Sequence, residues 1–316
     1  MRVYISSVGG DIAQSIAGII TRVFDSVFIV GTDLNAENSG KALVNLFEIS
    51  PSAEDDGYLP WLSNFLKLHS IEYFIPVNEK ELHALASIPS HQLSEALGSC
   101  SLIWAGRDPV QIFEDKMATS AFLQNIGVRT PAHFLEPASL NSSDFPVIVK
   151  PNLGAGSRNL FVCRTRLELD AALRFVSNPI IQRYVGDAEN EFTAAIFRNT
   201  KGDTRVINFR RKLSAGATGW AQVFPHLEIE NLCKKIASSI DLNGSINIQF
   251  RLDQGHPSVF EINGRFSSTV YMRHLLGFED LLWSLGRDES FAKFDQSLIA
   301  GAEALKLINF EIWPVT

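Results

Sequence analysis

The strongest limit on how this chain can fold is a change of rhythm near Gly106 to Pro109. Before that point short apolar runs alternate with helical patterns. Val3 to Ser7 reads as a strand, and Gly9-Gly10 as the turn into a helix with Ile12, Ile16, Ile19, Ile20 and Val23 on one side. Val27 to Val30 reads as the next strand, ending at Gly31-Thr32-Asp33. Trp61, Phe65 and Leu68 suit a helix, and Tyr73 to Pro76 and Leu102 to Ala105 further strands. Such alternation implies a parallel sheet with helices on its faces. Residues 1–105 are therefore expected to be an α/β, Rossmann-like domain.

Beyond residue 106 strands follow one another with few helices. Val147 to Lys150, Leu160 to Cys163, Ile180 to Val185, Phe192 to Phe197, Arg205 to Phe209, Ser245 to Arg251 and Ser258 to Ile262 all read as strands. After a helix near Asp115 to Asn125, one good helix interrupts them, carrying Leu232, Ile236, Ala237 and Ile240. Consecutive strands point to antiparallel pairing and an α+β region over 106–316.

Composition narrows the function classes. The 316 residues carry a formal charge of -7, which gives no support to generic nucleic-acid or anionic-membrane binding. Cys100, Cys163 and Cys233 are scattered, arguing against a zinc site or disulfide framework and for a reducing compartment, so a cytoplasmic protein is expected. The first ten residues read as a strand and its turn, not a signal peptide, and no apolar run is long enough to span a bilayer.

Four segments could carry chemistry. Gly9-Gly10 lacks the G-x-G-x-x-G spacing that lets backbone approach a pyrophosphate, and reads as a tight strand-to-helix turn; Asp33 alone is a weak ribose contact. Lys150, followed by Gly154-Ala155-Gly156-Ser157, offers a fixed cation and small-residue backbone N–H groups suited to phosphate. Strand alternation puts Asn247 and Gln249 on one face, and Glu261 and Asn263 on one face of the pairing strand, with Ile248, Phe250, Phe260 and Ile262 facing the core. Oxygen ligands with one or two carboxylates suit Mg2+ shared with a polyphosphate. Arg210-Arg211-Lys212 ends a strand, and three adjacent cations are either exposed or face an anion.

In this order the segments resemble the ATP-grasp superfamily, and in particular single-chain ligases related to the ATP-binding halves of carbamoyl phosphate synthetase. The carrying segments are Glu114-Asp115-Lys116, Val149-Lys150-Pro151 with 154–157, Ile180 to Val185, Glu191-Phe192-Thr193, Asn247 to Phe250, and Glu261 to Arg265. The resemblance implies a pre-ATP-grasp domain over 1–105 and an ATP-grasp domain over 106–316, divided into a small nucleotide-clamping part (106–180) and a C-terminal part with the metal site (181–316).

It implies that Lys116 and Lys150 neutralise ATP phosphates while Gly154, Ala155, Gly156 and Ser157 close over them. Gln182, Arg183, Tyr184 and Val185 would form the adenine hinge, through backbone groups at Arg183 and Val185. Glu191, or alternatively Glu189, would accept the ribose. Gln249, Glu261 and Asn263 would hold Mg2+, with Mn2+ as a substitute. Arg265, with Arg210 or Lys212, would face the substrate carboxylate and the transferring phosphoryl group. The expected activity is an ADP-forming ligase that joins a carboxylate to an amine through an acyl phosphate, with small-molecule substrates and room for a homodimer. Two rivals are a non-catalytic ATP- or metabolite-holding module and a nicotinamide-dependent oxidoreductase. The substrate pocket is expected between the first domain and a mobile loop from Arg210 to Trp220.

Overall fold

The computed structural model describes residues 1–154, 159–187, 190–214 and 216–306. Five parallel strands, β1 (Arg2–Ile5), β2 (Phe28–Asp33), β3 (Leu46–Ile49), β4 (Tyr73–Ile75) and β5 (Ser101–Leu102), form a sheet of order β3-β2-β1-β4-β5. Helices α1 (Asp11–Val23), α2 (Tyr58–Leu68), α3 (Glu79–Ser87) and α4 (Ser90–Leu97) connect them. In α1 the buried residues are Ala13, Ile16, Ala17, Ile19 and Ile20, the 3.6-residue stripe that packs onto a sheet. The chain then passes through α5 (Arg107–Glu114) and α6 (Lys116–Asn125).

The strands beyond residue 106 pair antiparallel in two sheets. Strands β6 (His133–Phe134), β7 (Val147–Pro151), β8 (Phe161–Cys163) and β9 (Pro179–Arg183) form a four-stranded sheet of order β6-β9-β7-β8. Strands β10 (Glu191–Arg198), β11 (Thr204–Ser214), β12 (Ala217–Val223), β13 (Gly244–Asp253), β14 (His256–Asn263) and β15 (Glu303–Leu305) form a six-stranded one, β14-β13-β10-β11-β12-β15. Helix α7 (Arg166–Phe175) was not evident from the sequence: it buries only Leu169 and Ala172, and its exposed Leu167 and Phe175 blur the stripe. The loop expected from Arg210 to Trp220 is instead mostly strand: β11 runs on to Ser214 and β12 begins at Ala217, and these two residues pair.

Alternation along β10 gives the six-stranded sheet two cores. Phe192, Ala194 and Ile196 pack with Ile246, Ile248, Phe250 and the Ile229, Cys233 and Ile236 stripe of α8 (Leu227–Ser239). On the other face Ala195, Phe197, Ile207 and Phe209 meet Met272, Trp283 and Phe291. The chain then returns to the first sheet: Phe266, Val270, Leu281 and Leu282, on and around α9 (Val270–Leu275) and α10 (Asp280–Ser284), share a core with Val3, Ile5, Ile16 and Ile20. Arg273 and Asp280, both fully buried, are paired at 2.7 Å, and Ser245 of β13 donates to Asp280 at 2.5 Å. A charge pair this deep holds only because each group has several partners. All three cysteines are buried and unpaired. Among the described residues no helix is long and apolar enough to cross a membrane.

Candidate functional site

Two lysines are fixed where the four-stranded sheet meets α6. Asp115 caps α6 by accepting from the Ala118 N–H, and Asn152 bridges back to it, donating to Asp115 at 2.7 Å and accepting from Met117 N–H at 3.0 Å. That clamp aims Lys116 Nζ at the carbonyl of Gly154, 2.6 Å away. Lys150, on β7, is 4% exposed and donates to the Phe260 carbonyl at 3.3 Å. Burial pushes its ammonium down to about 8; Glu261 opposes the shift and Lys116 and Arg251 add to it. An ammonium buried among other cations is a site in want of an anion.

The register of the six-stranded sheet builds the next part. Glu191 lies directly between Arg211 of β11 and Arg251 of β13. Arg211 donates to Glu191 Oε1 from Nη2 at 2.6 Å and Nε at 3.1 Å, and Arg251 to Oε2 at 2.9 Å. Burial works to raise the Glu191 carboxyl, but the two guanidinium groups outweigh it and hold it below the usual range. Both oxygens are thus already engaged before any ribose hydroxyl approaches. Arg211 also reaches Gln249 Oε1 at 2.8 Å, so this expected metal ligand turns its carbonyl toward a cation. Thr193 donates to Asn247 at 2.8 Å beside them.

Two expectations are corrected here. Arg210 and Lys212 do not join Arg265. They alternate to the opposite face, paired with Phe192 and Trp220 respectively, and Arg211 is the cation of the polar patch. Phe260 does not face the core, because a bulge between Gln249 and Phe250 pairs Gln249 with Glu261 and Phe250 with Val259. The extra residue turns its ring toward Lys150 and Arg251, 5.6 Å and 5.9 Å from its centroid.

A cleft opens beside this patch, lined by Glu79, Glu114, Lys116, Glu261, Asn263 and Arg265 over an apolar floor that includes Leu82, Val110 and Phe113. None of the described residues of the 210–220 hairpin lines it, whereas Glu79 and Leu82 of α3 do. Arg265, just past β14, donates from Nη2 and Nε to Glu79 Oε1 at 2.5 and 3.1 Å, and from Nη1 to the Phe266 carbonyl at 2.9 Å. Glu114 ends α5 and contacts His83 Nδ1. Burial raises the Glu114 carboxyl; His83 counters that, while Glu79 and Asp115 push it further up. Glu79 and Arg251 are not singled out by the sequence, and Glu114 and Arg211 stand there only as members of longer segments; register and the return of α3 to the cleft bring all four to the site.

The segment expected as the adenine hinge is tied down by backbone hydrogen bonds. Arg183 N–H donates to the Ala132 carbonyl at 2.8 Å and Tyr184 N–H to Pro146 at 3.2 Å. Gln182 contacts His133 at 2.9 Å; burial drives that imidazole down to about 4, with Lys150 adding, so it stays neutral. Arg251 stacks on Tyr184 at 4.9 Å, tying the hinge to the six-stranded sheet. Asp33 is used locally, accepting from Gly9 N–H at 2.9 Å and Asn35 N–H at 3.1 Å. Ala155, Gly156, Ser157 and Glu189 lie outside the described residues. Among those described, no three His, Cys, Asp or Glu side chains gather as a metal cluster, and Glu261 is the one carboxylate of the expected Mg2+ set.

Residues 113–269 match the ATP-grasp domain model. The D-alanine–D-alanine ligase of Fusobacterium nucleatum subsp. nucleatum is 27% identical over 165 residues, 47% of this chain and 55% of that protein. The carbamoyl phosphate synthase large chain of Thermomicrobium roseum is 25% identical over 195 residues, 55% of this chain but 18% of that one. The match therefore spans about half, or less, of these relatives. The crystal structure of an L-amino acid ligase from Bacillus licheniformis superposes with a TM-score of 0.71 at 19% identity, covering 95% of this chain and 77% of that one, a likeness of fold. With its ATP-grasp domain at residues 113–269, this chain belongs to the ATP-grasp superfamily.

Proposed function

We propose that this chain is an ATP- and Mg2+-dependent, ADP-forming ligase that joins a carboxylate to an amine. One observation carries the reading: Lys116, Glu261, Asn263 and Arg265 line a single cleft with buried Lys150 beside it, and no serine or cysteine is among the described lining residues. Cations and oxygen ligands without a nucleophile suit phosphoryl transfer, in which catalysis is positioning and charge neutralisation. The ligases of D-alanine and of L-amino acids among its relatives and structural neighbours support the same class.

In this reading the γ-phosphoryl group moves to a substrate carboxylate oxygen, and an amine then displaces phosphate from the acyl phosphate. Lys116 and Lys150 hold the phosphates, and Arg265 faces the carboxylate with the bidentate geometry a guanidinium offers. Glu261 and Asn263 fit Mg2+ only if phosphate oxygens complete its shell, as a hard cation with few protein ligands requires. That ion supplies charge neutralisation at the phosphates. Gln249, turned to Arg211, serves the patch as an orienting group instead. Glu191 keeps lone pairs for a ribose hydroxyl while its arginines fix it. Because the Arg183 N–H is spent on Ala132, adenine would meet the carbonyl there and the N–H of Val185. We further assign residues 1–105, 106–180 and 181–316 to the wall, clamp and base of the cleft.

The test is thermal unfolding with and without Mg-ATP, followed by phosphate release with panels of carboxylates and amines. A ligand bound only by the folded state raises stability by about 2.7 kcal/mol at a hundredfold excess over its dissociation constant. No shift with Mg-ATP overturns the reading. A shift with no ADP formed on any panel favours an ATP-holding module, a reading to which the Glu79 carboxylate already seated on Arg265 lends weight.

A further inference from the structure

We propose that Glu114, coupled to His83, is the base that takes the proton from the attacking amine. This rests on the ligase reading above and adds the group that chemistry still lacks. An amine nucleophile arrives as an ammonium ion at neutral pH, and only its deprotonated form has the lone pair to attack. The phosphate-facing residues are cations, and Glu261 is expected to be shared with Mg2+; neither kind accepts a proton.

The remaining carboxylates of the cleft are Glu79 and Glu114. Glu79 is neutralised by the Arg265 guanidinium. Among the described residues Glu114 pairs with no lysine or arginine. It sits at the last turn of α5, where the negative end of the helix dipole disfavours a carboxylate. The charged groups around it are Glu79 and His83 of α3, Asp115 and Lys116 following it, and Glu261 and Arg265 across the cleft. His83, in direct contact, opposes proton uptake, but burial together with Glu79 and Asp115 outweighs it and makes uptake easier.

The imidazole gives the proton a way out. Glu114 is 19% exposed and lines the cleft, whereas its partner His83 is 52% exposed. A carboxylate inside and an imidazole at the surface form a two-member relay from cleft to water. In the step, the ammonium gives one proton to the Glu114 carboxylate, which passes it through His83 to solvent. The freed lone pair forms the C–N bond to the acyl carbon, the C–O bond to phosphate breaks with its electron pair leaving on phosphate, and the second nitrogen proton departs on that phosphate.

Hydroxylamine is the discriminating probe, because it is largely unprotonated at neutral pH and needs no base to attack. Wild type, Glu114→Gln and His83→Ala would be given Mg-ATP and the twenty standard L-amino acids, singly with hydroxylamine and in pairs without it. The expected result is hydroxamate from all three proteins at comparable rates. Amide formation should be at least tenfold slower in Glu114→Gln and partly restored by raising the pH, with a smaller loss in His83→Ala. Amide formation by Glu114→Gln at the wild-type rate and pH profile overturns the proposal. Equal loss of hydroxamate and amide, with the Mg-ATP thermal shift intact, also overturns it, since the defect then precedes amine attack. No hydroxamate from wild type overturns the ligase reading on these substrates, and the base assignment with it.

Discussion

Arg265 and Glu79 are 186 residues apart in sequence, yet their side chains share an ion pair with Nη2 2.5 Å from Oε1. The pair joins the first turn of α3, at the parallel sheet, to the end of β14 in the six-stranded sheet. Each partner is mostly buried, so solvent screens the attraction weakly. Glu79→Ala leaves Arg265 without its carboxylate and is expected to cost about 1.5 to 3 kcal/mol, the range for a hydrogen bond to a charged group. Urea midpoints of the two proteins at equal slope would measure it. An unchanged midpoint would mean that the contact carries no stability.

The split of the basic run gives a sharper comparison. Arg211→Met removes one of the two arginine partners of Glu191 and the contact to Gln249, whereas Arg210→Met touches the opposite face. The Mg-ATP thermal shift should nearly vanish in Arg211→Met and stay close to wild type in Arg210→Met. The reverse ranking would put the nucleotide on the other side of the sheet.

Lys150→Met replaces a buried ammonium, already weakened by its surroundings, with an apolar chain of similar length. The apo protein should unfold at the same temperature or a higher one, because the desolvation cost disappears. Its response to Mg-ATP should fall by an order of magnitude or more in apparent affinity, read by titration calorimetry. Loss of apo stability with full nucleotide binding would assign Lys150 to structure alone.

Asp280→Asn breaks a charge pair in which Arg273 is fully buried. Stranding a buried guanidinium costs about 3 to 5 kcal/mol, so the variant should show a clearly lower urea midpoint. Because α9 and α10 share the core of the first sheet, near-ultraviolet circular dichroism should report loosening there as well.

Glu81 gives the chain a pH dependence. It is 7% exposed, accepts from Tyr58 Oη at 2.6 Å and contacts the Ser6 hydroxyl. Burial raises its carboxyl to about 7, with those two hydroxyls pulling the other way. The folded state therefore holds this proton more tightly than the unfolded chain, whose glutamate titrates near 4.5. Its contribution to stability falls as pH rises from about 4.5 to 7 and is flat above that. Glu81→Gln should remove that slope and be more stable than wild type at pH 8, by at most about 3 kcal/mol. Parallel urea curves at pH 5 and pH 8 test the sign.

The sequence itself determined the two rhythms, and with them the parallel sheet and the antiparallel region. Period-2 and period-3.6 patterns are local, and α1, β10 and α8 follow from their own residues. Lys150, Glu261 and Asn263 drew attention locally, since each sits in a short segment whose residue types suit phosphate chemistry, whereas Lys116 and the role of Arg265 were proposed from the family resemblance. Helix α7 was not legible, because its buried side is only two residues wide.

Only the tertiary structure decided which member of Arg210-Arg211-Lys212 meets Glu191. Strand register fixes this, and one residue of slip would exchange the two faces. It also decided that Phe260 turns to Lys150, because a bulge depends on how two strands align and not on either alone. Likewise it brought Glu79, His83 and Glu114 to Arg265. That encounter depends on long-range closure between a helix of the first sheet and the end of the last long strand, which no local pattern encodes.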